Sequence, residues 1–505
     1  MARLAIQMLF FCFNQNDQST AFRIYFIQRL WIQSATSAKY NRINSSLVKQ
    51  VQFDYFSIAS NYMISIKSYF RNKDDYAFQS LSYVLSDNPQ LLSFNLDFYN
   101  NRIGKNDSKF EPEELAKCTN LQSLTLSLKN NKIKQWGLYN LLSRFSNCQI
   151  KEFSLNLRQN YINNVGAFAL SSLIAKYTFI TSLRYKKLLS QKLPNASTFI
   201  LDLNLNTIRL QYLSALGSAN FQNLTDLTII GLSNIILDES LILKSMLSNC
   251  GHTLQNLLLD LEKSNIGNKS QLNLCQGLAS CINMSTLVLN MSYVWISNEF
   301  FKQFSSTQFE QLESLTLDVF YRADSSQHSD ICYALQACQK VSHLNLKLGN
   351  FFDDDESAEK KLYPALAKCQ DVKSLNLKLL RRQINQSYFS VLGNILVSFT
   401  KLQILELELG NFKEGNLFVN LVQHLANCKS LFKLKLTLFY YNEDNNVILS
   451  EDPTNQGLVL TQCEKLYILE LNISFPRLGY APEKLYQMKL RQHLKKSKRL
   501  VNFLY

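Results

Sequence analysis

Cysteine and histidine are the residues of this chain most suited to metal or redox chemistry, and there are eleven of the first and five of the second. A zinc site needs thiolate or imidazole ligands in closely spaced pairs. That spacing is missing: no CxxC occurs, and Cys275 and Cys281 stand six apart, as do Cys332 and Cys338. His252, His328, His343, His424 and His493 are scattered, with no HExxH among them. The chain also lacks the phosphate-cradling GxxxxGK[ST], a GxGxxG behind a strand and the nucleophile turn GxSxG. NEDNNVILSED has the acidic rhythm of a calcium loop, but Val447 occupies the position where such a loop turns on glycine. Hydrolase, kinase and dehydrogenase chemistry therefore find no support. No catalytic residue, cofactor or metal is expected.

The cysteines follow a different rule. Cys118, Cys148, Cys250, Cys281, Cys338, Cys369, Cys428 and Cys463 share one repeat position, and at Cys148, Cys250, Cys281, Cys338, Cys369 and Cys428 the cysteine ends a short apolar stripe, such as Leu243 and Leu247 before Cys250, or Leu362 and Leu366 before Cys369. Spacings of four and then three put such residues on one face of a helix. Behind each cysteine comes a second pattern, φxxφxφxφ with φ apolar, seen most plainly in CQKVSHLNLKL and its near copy CQDVKSLNLKL. Period-2 alternation of this kind is a strand with one buried face. The pattern begins at Leu91, Leu121, Ile150, Ile180, Ile200, Leu224, Leu254, Met284, Leu312, Val341, Val372, Leu402, Leu431 and Leu466, with a truncated copy at Leu500. Most steps are 28 to 31 residues; two short ones flank Ile200 and two long ones follow Leu431. Strands that recur after a helix run parallel, and one such unit buries its faces only against neighbours. The thiols then read as reduced packing residues, because helices 8–10 Å apart hold them too far apart to bridge.

The stretches LTLSLKNNKIKQWG and SLNLRQNYINNVG add an asparagine (Asn131, Asn160), an isoleucine (Ile133, Ile162) and a glycine (Gly137, Gly166) after the strand. This φxφxxNxφxxxG pattern resembles the leucine-rich repeats of the ribonuclease-inhibitor type, over about residues 60–505. The resemblance implies an α/β leucine-rich-repeat solenoid, or horseshoe, of about 14 units. Its parallel strands would line the concave face and its helices the convex face. It also implies a non-catalytic scaffold that binds a protein on the concave face. By analogy of fold alone, a ubiquitin-ligase substrate receptor or a GTPase regulator stays open. Asparagine marks the turn in four units, at Asn101, Asn131, Asn160 and Asn234. Later units carry Ser264, Val294, Arg322, Phe351 or Phe412 there, so their turns should differ in geometry.

Residues between the apolar strand positions face away from the core. From Val341 onward they form two charged columns: Asn345, Asn376, Glu406, Lys435, Glu470, and Lys347, Lys378, Glu408, Thr437, Asn472. Strands about 4.8 Å apart set Glu406 beside Lys435 and Lys378 beside Glu408. With Lys433, these residues are read either as a cross-strand ladder of ion pairs or as a docking patch, with exit aromatics such as Tyr99, Phe320 and Phe439 as anchors.

Residues 1–60 fall outside the repeat and read as a basic, apolar helical cap or a targeting segment; the irregular stretch 180–224 reads as a bend or break. DDDESAEKK reads as a solvated loop and 441–456 as an insertion. The net charge of +14 is uneven. Residues 1–50 hold six Lys/Arg against Asp17, and 483–500 hold seven against Glu483, leaving 40 Lys/Arg against 37 acids elsewhere. The C-terminal helix would present Lys489, Arg491, Lys495, Lys496, Lys498 and Arg499. That patch motivates a second reading, a subunit bound to nucleic acid or ribonucleoprotein through basic ends. No membrane span is expected, since no apolar run reaches about 18 residues. Reduced thiols favour a cytoplasmic protein, with nucleus and mitochondrion left open, as a monomer or part of a hetero-complex.

Overall fold

The computed structural model describes residues 55–60, 63–67, 90–101, 118–143, 148, 150–179, 197–206, 208, 213–219, 221–232, 241–307, 309–320, 331–336, 338, 340–348, 362, 364–384, 386–412, 416–440, 460, 462–474 and 502–504. The chain forms two compact units, Met1–Leu254 and Gln255–Tyr505.

In the first unit the strands are β1 (Tyr55–Ser60), β2 (Met63–Lys67), β3 (Ser93–Asp97), β4 (Ser123–Ser127), β5 (Glu152–Asn156), β6 (Thr198–Asp202) and β7 (Asp226–Ile230). From β2 to β7 each pairs in parallel with the next. The helices are α1 (Gln135–Ser143), α2 (Asn164–Phe179), α3 (Ser214–Gly217) and α4 (Ile242–Cys250). Within the stretch 1–60, read as a helical cap or a targeting segment, the described residues 55–60 form a strand, β1, that pairs antiparallel with β2. Two residues separate β1 from β2, and a connection that short allows only a hairpin.

The second unit repeats the plan with β8 (Asn256–Asp260), β9 (Thr286–Asn290), β10 (Ser314–Asp318), β11 (His343–Leu348), β12 (Ser374–Ile384), β13 (Ile404–Phe412), β14 (Lys433–Tyr440), β15 (Ile468–Ser474) and β16 (Asn502–Leu504), all parallel in chain order. Its helices are α5 (Asn268–Ala279), α6 (Asn298–Ser305), α7 (Ile331–Gln336), α8 (Gln386–Ser398) and α9 (Asn416–Ala426).

Both cores are stacks of the apolar stripes. Leu124, Leu126 and Leu128 are fully buried, as are Leu247, Leu274 and Leu278 from the helices. The ten described cysteines are buried free thiols. Several donate to the unit before: Cys148 Sγ to Cys118 O at 3.1 Å, Cys463 Sγ to Leu425 O at 3.6 Å.

The turn after each early strand has one construction. Three residues past the strand end the backbone enters the left-handed region, at Asn100 (φ 58°), Asn130 (56°), Gln159 (58°), Leu205 (57°), Lys263 (58°) and Tyr293 (60°). The next residue in the first unit is an asparagine that clamps two turns together. Asn131 Nδ2 donates to Phe98 O and Leu128 O, both at 2.8 Å. Asn160 Nδ2 donates to Leu128 O (2.9 Å) and Leu157 O (3.0 Å), and its Oδ1 accepts from Ile133 N (3.1 Å). Asn206 makes the same clamp, to Leu157 O (2.9 Å) and Leu203 O (3.0 Å).

Asn206 is missed by a frame that starts the unit at Ile200, because that frame puts Leu203 and Leu205 at the apolar strand positions, four residues too late. The buried set is instead Phe199, Leu201 and Leu203, while Leu205 is 55% exposed. β6 pairs with β5 and β7 on either side. Asn234 and the stretch 180–196 lie outside the described residues.

Strand length follows the turn. The strands that end in a left-handed residue, β3–β6, β8 and β9, have five residues each. β12, β13, β14 and β15 have eleven, nine, eight and seven. The expectation that turns without asparagine differ fails at Ser264 and Val294, where the left-handed residue alone keeps the same turn; it holds after β11, where the ladder runs on. At β7 the device is a glycine. Gly231 sits at φ +91°, and a Cβ there would lie 2.0 Å from Asn204 N. The twist lets Leu232 take the core position.

Leu205 holds a left-handed conformation that a leucine adopts only at a cost and buries little. Leu205→Asn should therefore raise unfolding stability by about 0.5–1 kcal/mol. Gly231→Ala should lower it by about 2 kcal/mol or more, since strained backbone and backbone overlap add. Urea midpoints measured on full-length variants check both signs.

Candidate functional site

The half-exposed strand face of the second unit holds the charged residues singled out from sequence. The registers run Asp318↔Lys347↔Lys378↔Glu408↔Thr437↔Asn472 in one column and Asn345↔Asn376↔Glu406↔Lys435↔Glu470 in the next. Parallel pairing with a common starting point puts like positions side by side, so the columns are as read.

The contacts within them are only partly as read. Lys378 Nζ meets Glu408 Oε1 at 2.6 Å, the expected pair. Glu406 is in register with Lys435 but bonds elsewhere: its ion-pair partner is Lys433, at 3.5 Å, and its other oxygen accepts from Asn376 Nδ2 at 3.3 Å. Lys433 also reaches Glu470 at 3.2 Å, and Lys435 touches Glu470 at 3.9 Å. Lysine's long stem lets a residue two positions earlier on the same face compete with the one directly opposite. Burial works against the Lys433 charge, but Glu470 and then Glu406 outweigh it, so its pKa is raised. Asn345 lies within the lattice with its Oδ1 buried and unbonded.

The lattice extends toward β8 through residues that sequence reading passed over. Lys347 Nζ meets Asp318 Oδ2 at 3.0 Å, and Ser292 donates its hydroxyl to Asp318 Oδ1. Asn290 Nδ2 donates to Asp260 Oδ1 at 2.8 Å. The same alternation places Asp260, Asn290 and Asp318 on this face, and tracing the columns from Val341 left them out. At the exit edge Lys263 lies 5.0 Å over the Tyr293 ring, Tyr293 meets Phe320 edge-on at 6.4 Å, and Lys378 lies 5.5 Å over Phe320. Charges and rings here are thus engaged with each other.

Other candidates fall away or out of view. Lys489, Arg491, Lys495, Lys496, Lys498 and Arg499 lie outside the described residues, as do 353–361, 441–456 and residues 1–54. Among the described residues no three His, Cys, Asp or Glu side chains gather into a metal-holding group. Among them, too, no helix is long and apolar enough to cross a membrane.

No protein-family model matches the chain, and no curated protein matches it. Among solved structures it is similar to the crystal structure of the leucine-rich repeat-containing protein LegL7 from Legionella pneumophila, at 16% identity. The match covers 58% of this chain and 89% of that one, with a TM-score of 0.30. A likeness so slight carries no argument. The class is defined by this chain's own geometry: one parallel strand per repeat, a leucine stripe behind it and, in the first unit, an asparagine-clamped left-handed turn after it. These are leucine-rich repeats in an α/β stack.

The thiols bear on stability rather than chemistry. Burial pushes Cys118 and Cys369 up to about 11, and Cys250, Cys275 and Cys428 up to about 12, from an ordinary value near 9. A folded-state pKa above the unfolded one contributes stability that is whole below the unfolded value and is lost as pH rises through the folded one. Urea midpoints should therefore hold level up to about pH 8.5 and fall between about 9 and 12. Combined Cys250→Ala and Cys275→Ala should flatten that slope, and an unchanged slope would show that these thiols do not set it.

Proposed function

We propose that this chain is a non-catalytic scaffold that captures a macromolecular partner, a protein, on its strand faces. One observation supports this above the others. Every unit presents a row of half-exposed side chains in fixed columns, while the residues with catalytic potential are buried or dispersed. In the second unit the docking residues would be Asn345, Lys347, Asn376, Lys378, Glu406, Glu408, Lys433, Lys435 and Glu470. Their charges already satisfy one another, so a partner gains little net affinity from them. It gains selection, because only a surface with matching alternation avoids setting like charges together.

The finer assignment to the ribonuclease-inhibitor-like type belongs to the same reading. It is supported by repeat steps near 30 residues with a helix in most units. A buried, protonated thiol ladder suits a reducing, intracellular compartment.

The test reverses one ion pair without deleting it. Lys378→Glu combined with Glu408→Lys keeps the attraction across β12 and β13, so melting should stay within about 1 kcal/mol of the parent. Affinity capture followed by quantitative mass spectrometry should show the specific prey reduced about tenfold, a change of about 1.4 kcal/mol. An unchanged prey profile from the folded double variant would remove this surface from the proposal.

A further inference from the structure

The strand face of the first unit differs in kind from that of the second. Its fifteen outward positions on β3–β7 form three columns: Ser93, Ser123, Glu152, Thr198, Asp226 at the entry border; Asn95, Thr125, Ser154, Ile200, Thr228 in the middle; and Asp97, Ser127, Asn156, Asp202, Ile230 at the exit border. The middle column carries no charge. Both borders carry carboxylates, and none of the fifteen is lysine or arginine. Among the described residues Thr125, Ser154 and Thr228 make no side-chain hydrogen bond, and Glu152 and Asp202 make no ion pair. Asp202 accepts from Asn204 N, at 3.0 Å, and from the Asn204 side chain. Burial raises its pKa, against the lowering effects of the Asn204 N–H and of Arg158 and Lys129. Those two cations belong to the turn beyond the strands, where Lys129 lies 5.1 Å over the Tyr99 ring. Lys151 is the basic residue at the entry edge.

From this arrangement we infer that the first unit's strand face docks an extended, lysine- or arginine-rich segment of a partner protein, laid across the strands along the hydroxyl-lined middle column. This rests on the scaffold reading and names the partner's chemistry. Five strands about 4.8 Å apart give a strip about 20 Å long, and at about 3.3 Å per residue that holds about six residues. Apart from Ile200, the middle side chains are small enough to let a peptide backbone come close, and the unspent hydroxyls of Thr125, Ser154 and Thr228 meet its N–H and C=O groups. Cationic side chains alternate to the two sides and reach the carboxylates on both borders. The second unit offers no such vacancy, since its acids Glu406, Glu408 and Glu470 are already paired with lysines. The surface is also selective against the rest of the molecule: a chain of net charge +14 repels a basic peptide, so capture has to come from a local site.

The probe is a fluorescein-labelled peptide of consecutive lysines, about eight residues long by the estimate above plus flanks of about one residue each side, with a glutamate peptide of the same length as control. Anisotropy is read on the full-length chain at about 50 mM and about 500 mM salt. The lysine peptide should bind at low salt, weaken at high salt and exceed the glutamate peptide. Glu152→Gln combined with Asp202→Asn should weaken it at least tenfold, while Glu406→Gln combined with Glu408→Gln changes it less than about twofold. Ser154→Lys, which adds a cation to the middle column without touching a carboxylate, should also abolish binding. No binding of the lysine peptide, equal binding of both peptides, or equal loss from the two carboxylate pairs overturns the inference. None of these outcomes bears on the Lys378/Glu408 swap, so the second unit's surface stands or falls separately.

Discussion

A strand in this chain has two needs that its own repeat cannot meet: its backbone lacks partners, and its apolar row lacks cover. Both are met by the next unit, and the join is made the same way each time. One carbonyl at the strand entry accepts two successive N–H groups of the following strand. Leu92 O takes Gln122 N and Ser123 N at 2.8 and 2.9 Å; Gln255 O takes Ser285 N and Thr286 N at the same distances; Gln403 O takes Phe432 N and Lys433 N at 2.7 and 2.9 Å. A forked bond of this sort leaves no room for a slip of one residue, which would send every leucine to the solvent side. The columns on the strand face are a consequence. Their chemistry follows from sequence because their register is not free.

At the other end of the strand the constraint loosens along the chain. The left-handed residue turns the backbone away from its neighbour, and the asparagine behind it gives the carbonyls it strands a partner. Asn131, Asn160 and Asn206 each bind a carbonyl of their own turn and one of the preceding turn. Such a turn is rigid and closes the strand after five residues. After β8 and β9 the left-handed residue closes the strand at five residues without an asparagine; after β11 the backbone groups find partners in one another, and strands of seven to eleven residues result. Two solutions to one bookkeeping problem thus give the second unit a wider face than the first.

These rules were mostly legible. The alternation of Leu344, Leu346 and Leu348 has one reading, and the cysteine stripes mark the helices before them. The signal fails where the alternating apolar row is too long, as at Phe199, Leu201, Leu203 and Leu205 in TFILDLNLN, because the pattern can be laid on either end of it; the neighbours' forked bonds decide it. It fails again in ion pairing, where register names the opposite residue but lysine's reach picks another: Glu406 goes to Lys433 rather than Lys435. The charged face of the second unit drew attention because charge is conspicuous. The first unit's face drew none, since serine, threonine and asparagine look like filler in a strand pattern. Their significance lies in which contacts they do not make, and that is a property of three dimensions.

The two faces show why conspicuous charge is a poor guide to a docking site. When columns are fixed about 4.8 Å apart, opposite charges in neighbouring strands become intramolecular pairs as a matter of geometry. Lys347, Lys378, Lys433 and Lys435 all meet acids this way. A ligand that engages any one of them must first separate it from its partner, and the exchange is close to neutral. Carboxylates with no ion pair across the strands keep more of their attraction for an incoming cation, as Glu152 does and as Asp202 does in part, with Arg158 and Lys129 acting on it from the turns, and hydroxyls with no acceptor keep their hydrogen bond. In a rigid repeat array, binding capacity is thus concentrated where the array has left its own interactions incomplete, and the plainer face is the one with more to offer a partner.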